Sequence, residues 1–162
     1  MSLQIRPESA AEWDGIWTLH AEAFPTRAEA DLVNRLRDDG DAVISLAAIV
    51  DGNIAGHVLF SKMQSPERFL GLAPVAAHVS HRRQEIAEAL IREGLVRAKA
   101  DGWAGVFVLG GNYYKRFGFD PSLAAGFRSP YAGPHLMALS LQPEGLGVRT
   151  DPVEYARAFA AL

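Results

Sequence analysis

A strand–helix–strand pattern in the middle of the chain constrains the fold more than any other feature of the sequence. An apolar, β-prone run at residues 70–77 is followed by an amphipathic helix pattern at 86–100 and by a short, fully apolar run at 106–109. Fully apolar strands are typical of parallel sheets, in which helices cover both faces. The pattern therefore predicts a βαβ unit with two parallel strands and a right-handed crossover.

The helix of this unit has the most regular pattern in the chain. Its apolar positions step by three, one, three, one and three residues and so form one buried stripe: Ala87, Leu90, Ile91, Gly94, Leu95 and Ala98. Glu88 with Arg92, and Glu93 with Arg97, have the i,i+4 order that stabilises an exposed helix face. Pro74 interrupts the preceding strand, and because proline donates no hydrogen bond to a neighbouring strand, we expect a bulge there.

The part of the sequence before the βαβ unit predicts two acidic amphipathic helices and a β-hairpin. The segments Ser9–Glu12 and Thr26–Glu29 each have the residue types and spacing of a capping box, which marks the start of a helix. Apolar, β-prone runs at 42–50 and 53–60 flank the dipeptide Asp51-Gly52. Glycine tolerates the positive φ of a tight turn, so these runs are expected to pair as a hairpin.

The segments after the βαβ unit predict smaller elements. They are a short helix at 113–117, a loop rich in glycine and proline at 121–134, a strand at 135–141, and a terminal helix through Ala158 that Asp151 caps. The sequence contains no internal repeat and no linker. We therefore expect residues 1–162 to form a single α+β domain with a mixed, mostly antiparallel sheet and flanking helices.

The composition excludes several classes of function. The 162 residues include no cysteine, which excludes thiolate nucleophiles and thiol zinc sites. The net charge of −3 argues against a dedicated nucleic-acid binder. No apolar stretch approaches the roughly 20 residues of a membrane helix. We expect a cytoplasmic protein with no nucleic-acid partner and no membrane partner, and both a monomer and a homodimer stay open.

The charges are unevenly distributed along the chain. Residues 1–52 carry ten acids and four arginines, whereas the remainder carries twelve bases and nine acids. Two arginines and two histidines cluster within His78–Gln84, where the predicted strand leads into the predicted helix. The unpaired N–H groups at a helix N-terminus bind anions. This junction is therefore a candidate phosphate site, with a solvated basic loop as the alternative.

At this junction the sequence resembles a known family. The segment PVAAHVSHRRQEIAEALIREGL at 74–95 resembles the pyrophosphate loop of the GNAT superfamily of acyl-CoA-dependent N-acetyltransferases, whose pattern is Gln/Arg-x-x-Gly-x-Gly/Ala. Tyr114–Phe119 matches a second family pattern, Tyr-x-x-x-Gly-Phe, and residues 56–61 and 108–119 look like a subgroup of small bacterial acetyltransferases. The resemblance implies a GNAT-like fold and acetyl transfer to a primary amine of a small molecule or peptide.

The resemblance also implies which residues bind acetyl-CoA as the acyl donor. The pantetheine would pair with Val75, Ala76 and Ala77, and the pyrophosphate would contact the helix start. The residues implied there are Arg82, Arg83, Gln84, Glu85, Ile86 and Ala87, and Asn112 is implied as a further contact. Tyr114 would be the general acid that protonates the leaving thiolate, assisted by Asn112 or Tyr113, with a core tyrosine as the alternative. No metal is implied, because no set of His, Asp and Glu has ligand spacing.

Three questions stay open at the level of the sequence. Glu85 stands where the family pattern has its first glycine, and its charge would repel a pyrophosphate. Both weakened CoA binding and a GNAT-fold binding or regulatory module without a CoA site are therefore open. The candidates for the general base are His57, His78 and a water-mediated route to Glu22. The acceptor groove is expected between the two N-terminal helices and the C-terminal loop, and the acids on those helices favour a cationic amine.

Overall fold

The computed structural model describes residues 2–79 and 82–162. Six strands form one sheet: β1 (Leu3–Pro7), β2 (Ala42–Val50), β3 (Asn53–Lys62), β4 (Phe69–Ala77), β5 (Gly105–Leu109) and β6 (Leu136–Ser140). The α-helices are α1 (Trp13–Ala23), α2 (Ala28–Asp38), α3 (Arg83–Ala100) and the four-residue α4 (Pro121–Ala124). Short 3₁₀ helices cover Ala10–Glu12, Asn112–Phe117 and Arg157–Ala161.

The strands lie side by side in the order in which they occur along the chain. Neighbouring strands are antiparallel except β4 and β5, which pair in parallel across the connection that contains α3. The predicted α+β class, the mixed and mostly antiparallel sheet, and the βαβ unit are confirmed. Asp51 and Gly52 both have positive φ in the turn between β2 and β3, which confirms the predicted hairpin.

β4 and β5 separate after a short parallel ladder. Their pairing runs from Phe69 to Gly71 on β4, whereas the pairing of β4 with β3 continues to Ala77. The register with β3 shifts between Val58 and Phe60, opposite the segment that contains Pro74, so the predicted bulge is confirmed. Among the described residues, the second half of β4 has no strand partner on its β5 side.

Different helices cover the two faces of the sheet. Alternate residues of a strand point to opposite faces. Phe60 of β3 packs in a cluster with Leu90 of α3, whereas the adjacent Leu59 packs with Ile16 of α1 and Leu36 of α2. The amphipathic helices predicted in the first third of the chain therefore cover the face opposite α3.

Glycine allows α3 to lie close to β3. A Cβ atom on Gly94 would lie 2.1 Å from a ring carbon of Phe60, and one on Gly56 would lie 2.8 Å from the Ile86 side chain. Ile86, which the predicted apolar stripe left out, is fully buried. Because Gly56 has no side chain, the first turn of α3 can lie directly against the sheet, next to the end of β4.

One of the two predicted capping boxes forms. The Ser9 N–H donates to Glu12 Oε1 over 2.9 Å at the 3₁₀ turn that leads into α1. The Thr26–Glu29 prediction is wrong, because α2 begins only at Ala28. The Thr26 hydroxyl instead accepts a hydrogen bond of 3.2 Å from the Ala28 N–H.

The C-terminal part of the chain also departs from the prediction. The segment expected to be a helix capped by Asp151 is extended up to residue 154, where Glu154 forms an antiparallel β-bridge with Ser65. The helical segment begins only at Arg157 and is a 3₁₀ helix. Within the predicted 121–134 loop, residues Pro121–Ala124 form α4. Pairing with the distant connection between β3 and β4 therefore outweighs the local helix signal at Asp151.

Candidate active site

A cleft of about 290 Å³ lies where the ends of α1 and β4 meet the start of α3. Its walls are formed by Glu22, Ala23, Phe24, Val75, Ala76, Ala77, Val79, Arg83, Gln84, Ala87 and Tyr113. A second, shallower pocket shares Val79, Arg83 and Gln84 with it and adds Arg82 and Glu85. Together they form one groove that runs from the unpaired edge of β4 to the N-terminus of α3.

The three β4 residues predicted from the sequence all line this cleft. Val75, Ala76 and Ala77 pair with β3 on one side and lie beyond the end of the β4–β5 ladder on the other. A strand edge without a neighbour presents backbone N–H and C=O groups to whatever occupies the cleft. An extended, amide-containing chain can therefore add to β4 here as a further strand would.

The start of α3 brings two arginines to the groove. Arg83, Gln84 and Ala87 line the cleft, and Arg82 lies in the adjoining pocket. The N–H groups of the first helical turn have no partner within a helix and carry partial positive charge. Ser80 and His81, which complete the predicted basic cluster, lie outside the described residues.

Ile86 differs from the other residues predicted at this helix start. Its N–H donates to the Arg82 carbonyl over 3.0 Å, which closes the first turn of α3. Its side chain is fully buried in the core. The groups of α3 that face the groove are therefore those of residues 82–85 and Ala87.

Glu85 lies at the solvent-exposed part of the groove. Its side chain is 68% exposed, and its carboxylate lies 3.4 Å from the Arg82 guanidinium. An acid in the first turn also interacts favourably with the helix dipole. The carboxylate thus has both a partner and access to solvent, which reduces the field it exerts on the groove.

Two adjacent tyrosines lie on the Asn112–Phe117 helix. Tyr113 lines the cleft, whereas the Tyr114 ring packs edge-on against Tyr113 and Phe119, with centroids 5.3 and 6.2 Å away. Burial raises the pKa of Tyr114, with a smaller contribution from Tyr113, so its phenol is protonated at neutral pH. The Tyr113 hydroxyl is buried and has no hydrogen-bond partner among the described residues. Asn112 is exposed at the start of the helix.

A chain of buried polar side chains lies behind the α1 wall of the cleft. His20 Nε2 and His57 Nδ1 are 2.9 Å apart, and both side chains are fully buried. His57 Nε2 lies 2.9 Å from Glu8 Oε1 and 2.8 Å from Ser45 Oγ. Arg37 donates two hydrogen bonds to the Glu8 carboxylate, at 2.6 and 3.0 Å, and Ser45 donates to it as well.

The surroundings of Glu8, His57 and His20 determine their protonation states. Burial acts to raise the pKa of Glu8, but hydrogen bonds from His57, Arg37 and Ser45 outweigh it and lower that pKa well below its usual value. Burial lowers the pKa of His20 to about 3 and also lowers the pKa of His57, despite the nearby Glu8 carboxylate. At neutral pH the chain therefore holds one ionised carboxylate, one arginine and two neutral imidazoles.

The site residues that the sequence did not predict belong to this series of hydrogen-bonded side chains. His57 was a candidate base, but Glu8 and His20 were not, because 49 residues separate Glu8 from His57 and no local spacing links them. The available signal is the spacing of His20, which follows Ile16 by four residues and so lies on the same helix face as that apolar residue. A histidine at a core position of an amphipathic helix requires a polar partner, and β3 supplies one.

The chain is similar to known proteins over nearly its whole length. Residues 12–119 match the family model described as the acetyltransferase (GNAT) family. The uncharacterized N-acetyltransferase YhbS of Escherichia coli K12 is 33% identical to this chain, over 96% of this chain and 97% of YhbS. The chain belongs to the GNAT acetyltransferase family.

Solved structures of two GNAT proteins extend this result to the fold. The structure of Escherichia coli YhbS in complex with CoA superimposes with a TM-score of 0.90 at 33% identity and covers 98% of this chain and 92% of its own. A GNAT acetyltransferase from Brucella melitensis in complex with acetyl-CoA gives a TM-score of 0.81 at 27% identity, over 98% of both chains. The predicted GNAT-like fold is confirmed.

This GNAT chain shows neither a metal centre nor a transmembrane helix in its described part. Within residues 2–79 and 82–162, no group of three or more His, Cys, Asp or Glu side chains is arranged to hold a metal ion. Over the same residues, no helix has the length and apolar character that crossing a membrane requires.

Proposed function

We propose that this GNAT protein transfers an acetyl group from acetyl-CoA to a primary amine of a small molecule or peptide. The observation that carries the proposal is the groove that joins the unpaired edge of β4 to the N-terminus of α3. Two similar structures were solved with CoA or acetyl-CoA. The pantetheine amides suit the backbone of Val75–Ala77, and the phosphates suit Arg82, Arg83 and the free N–H groups of α3.

The proposed reaction is a direct attack. The amine nitrogen forms a bond to the acetyl carbonyl carbon, and N–H groups on the open edge of β4 stabilise the oxyanion that develops. The C–S bond then breaks, the amine loses one proton and the CoA thiolate gains one. Tyr114 is the proposed donor of that second proton, because burial raises its pKa and keeps its hydroxyl protonated until the thiolate leaves.

The acceptor enters, in this proposal, from the α1 side of the cleft. Glu22 lies on that wall and favours an amine that carries a further positive charge. Three of the nine other acids of residues 1–52 are engaged elsewhere: Glu8 pairs with Arg37, Glu12 with Arg6, and Asp31 accepts from Trp17. Since Glu22 is the acid of this segment that lines the cleft, the proposed preference for a cationic acceptor depends on Glu22.

Calorimetric titration of acetyl-CoA tests the donor site. Arg83→Gln is expected to weaken binding about threefold to tenfold, because it removes one partly screened contact to phosphate. Arg97→Gln is the matched control, since it removes the same charge from the far end of α3, where Arg97 pairs with Glu93 at 2.8 Å. Binding should be unchanged in this control.

The variant Glu85→Gly restores the family glycine and separates two functions. Binding of acetyl-CoA to the wild-type protein, followed by thiol release in a screen of primary amines, is the expected result. If acetyl-CoA binds only to Glu85→Gly, the chain is a GNAT-fold binding module with a disabled donor site. If acetyl-CoA binds to neither protein, the proposed function is wrong.

A further inference from the structure

The steps proposed above leave the amine proton without an acceptor. The buried chain of Glu8, His57 and His20 is not used by any of them, although it ends next to the cleft. His20 lies four residues before Phe24, which caps the C-terminus of α1, and their rings are parallel, with centroids 6.1 Å apart. Phe24 forms part of the cleft wall, as does Ala76, which lies opposite His57 in the β3–β4 register. The two imidazoles therefore lie directly behind the wall.

The hydrogen bonds determine which ring nitrogens carry protons. The ionised Glu8 carboxylate only accepts, so the proton of neutral His57 is on Nε2. His57 Nδ1 is then an acceptor, and His20 Nε2 must donate to it across 2.9 Å. Neutral His20 consequently has an unprotonated Nδ1. This atom is buried and has no hydrogen-bond partner among the described residues.

We propose that the hydrogen-bonded side chains of Glu8, His57 and His20 accept the proton that the amine loses during acetyl transfer. His20 Nδ1 is the receiving atom, and a water molecule bridges the distance past Phe24. This inference rests on the proposed function. Attack on the acetyl carbon leaves the nitrogen positively charged and its N–H strongly acidic. One proton moves through the water to His20 Nδ1, and the Nε2 proton of His20 moves to His57 Nδ1. The resulting His57 imidazolium keeps its hydrogen bond to the Glu8 carboxylate.

The surrounding charges suit a transfer in this direction. Glu8 holds its negative charge at the far end of the chain, where Arg37 and Ser45 fix its position. Glu12 also acts favourably on a charged His57, whereas the Arg37 guanidinium acts against it. A proton on His57 is therefore stabilised by a carboxylate at hydrogen-bond distance, whereas a proton that stayed on His20 would lack that contact.

The tautomers can be measured without any acceptor. Long-range ¹H–¹⁵N correlation spectra of the intact protein at pH 7 report which nitrogen of each histidine is protonated. The expected pattern is a protonated Nε2 and a bare Nδ1 on both His20 and His57. A proton on Nδ1 of His20 would overturn the proposal, because that nitrogen could not then accept another.

Activity tests use an amine that the wild-type protein acetylates in the thiol-release screen. His20→Gln places an amide near the Nε2 position, where it can still donate to His57, but it removes the base at Nδ1. We expect kcat to fall about 100-fold or more, as for loss of a general base, with unchanged affinity for acetyl-CoA. The exposed His135→Gln is the control and should leave kcat unchanged. Added imidazole should restore part of the activity of His20→Ala, which a purely structural role would not permit.

Three outcomes separate this inference from the function on which it rests. If the wild-type protein acetylates no amine, the proposed function fails and the inference fails with it. If the wild type is active and His20→Gln retains kcat within about threefold, the function stands and the inference is overturned. A large loss in His20→Gln with rescue of His20→Ala by imidazole supports both.

Discussion

The buried histidine pair makes the folding stability of the protein depend on pH. In the folded protein the pKa of His20 is about 3, so this side chain is neutral at pH 5. In the unfolded chain the same side chain is protonated near pH 6.5. The unfolded state therefore binds more protons than the folded state between these values, and stability falls as pH falls from 6.5 towards 3. The lowered pKa of His57 acts in the same direction.

We predict that the wild type loses about 2 kcal/mol more unfolding free energy than His20→Gln when pH is lowered from 7 to 5. Urea denaturation at the two pH values measures this difference. At pH 5 and above, the Glu8 carboxylate is mostly ionised in the folded and in the unfolded protein, so it contributes little to this difference. His135→Gln should lose as much stability as the wild type. Equal losses in the wild type and His20→Gln would show that His20 is protonated in the folded state.

The site residues fall into two groups: those that belong to one contiguous motif and those whose partners lie far away in the sequence. The arginines before α3 and the Val75–Ala77 edge follow from a contiguous motif, and the structure brings them to one groove. The Glu8–His57 contact joins β3 to the segment after β1, and only the pairing of β1, β2 and β3 makes it possible. Such a contact has no local sequence pattern, because it depends on the register of a sheet that the sequence does not specify residue by residue.

Among the elements, the junction between β5 and the Asn112–Phe117 helix controls the position of Tyr114. A Cβ atom on Gly110 would lie 2.4 Å from the Tyr114 ring, whereas one on Gly111 would meet no atom within 4 Å. The ring is held by Tyr113, Phe117 and Phe119, so it cannot move aside freely. The two neighbouring glycines therefore offer the same substitution with and without a contact to Tyr114.

We predict that Gly110→Ala lowers the rate of thiol release about tenfold and that Tyr114→Phe lowers it about 100-fold, as expected for a displaced and a deleted general acid. Gly111→Ala should retain the wild-type rate. Acetyl-CoA affinity, measured by calorimetry, should be equal in all three variants. Turnover of Tyr114→Phe at the wild-type rate across pH 7–9 would remove Tyr114 from the mechanism.

The elements themselves were predictable where the signal was local and strong. The α3 stripe, the Asp51-Gly52 hairpin and the Pro74 bulge all depend on residues within a few positions of one another. The C-terminal segment was not, because Glu154 pairs with Ser65 and residue 152 with Arg128. Those bridges place extended chain where the local residues favour a helix, and tertiary pairing outweighs a propensity difference of a few tenths of a kcal/mol per residue.

At the scale of the whole molecule, the structure shows where the unevenly distributed charges of the sequence lie. The basic residues Arg82 and Arg83 lie at the groove between β4 and α3, where the proposed function places the phosphates of acetyl-CoA. Within residues 1–52, Glu8 and Glu12 each bind an arginine of the same segment. This pairing leaves the acidic surplus of the segment unchanged, because it uses equal numbers of acids and arginines. Among the acids of that segment that the structure describes, Glu22 is the one that lines the cleft.

This distribution predicts how the protein selects its acceptor. Glu22→Gln should lower kcat/KM about threefold for a diaminoalkane and leave it unchanged for an alkyl monoamine of the same length, because an exposed carboxylate contributes below about 1 kcal/mol to a second positive charge. Raising the salt concentration should reduce the difference between wild type and variant. Asp14→Asn is the matched control, since Asp14 is an exposed acid of α1 that does not line the cleft. Equal effects of Glu22→Gln on both amines would mean that the carboxylate acts on the attacking nitrogen and not on a distal charge.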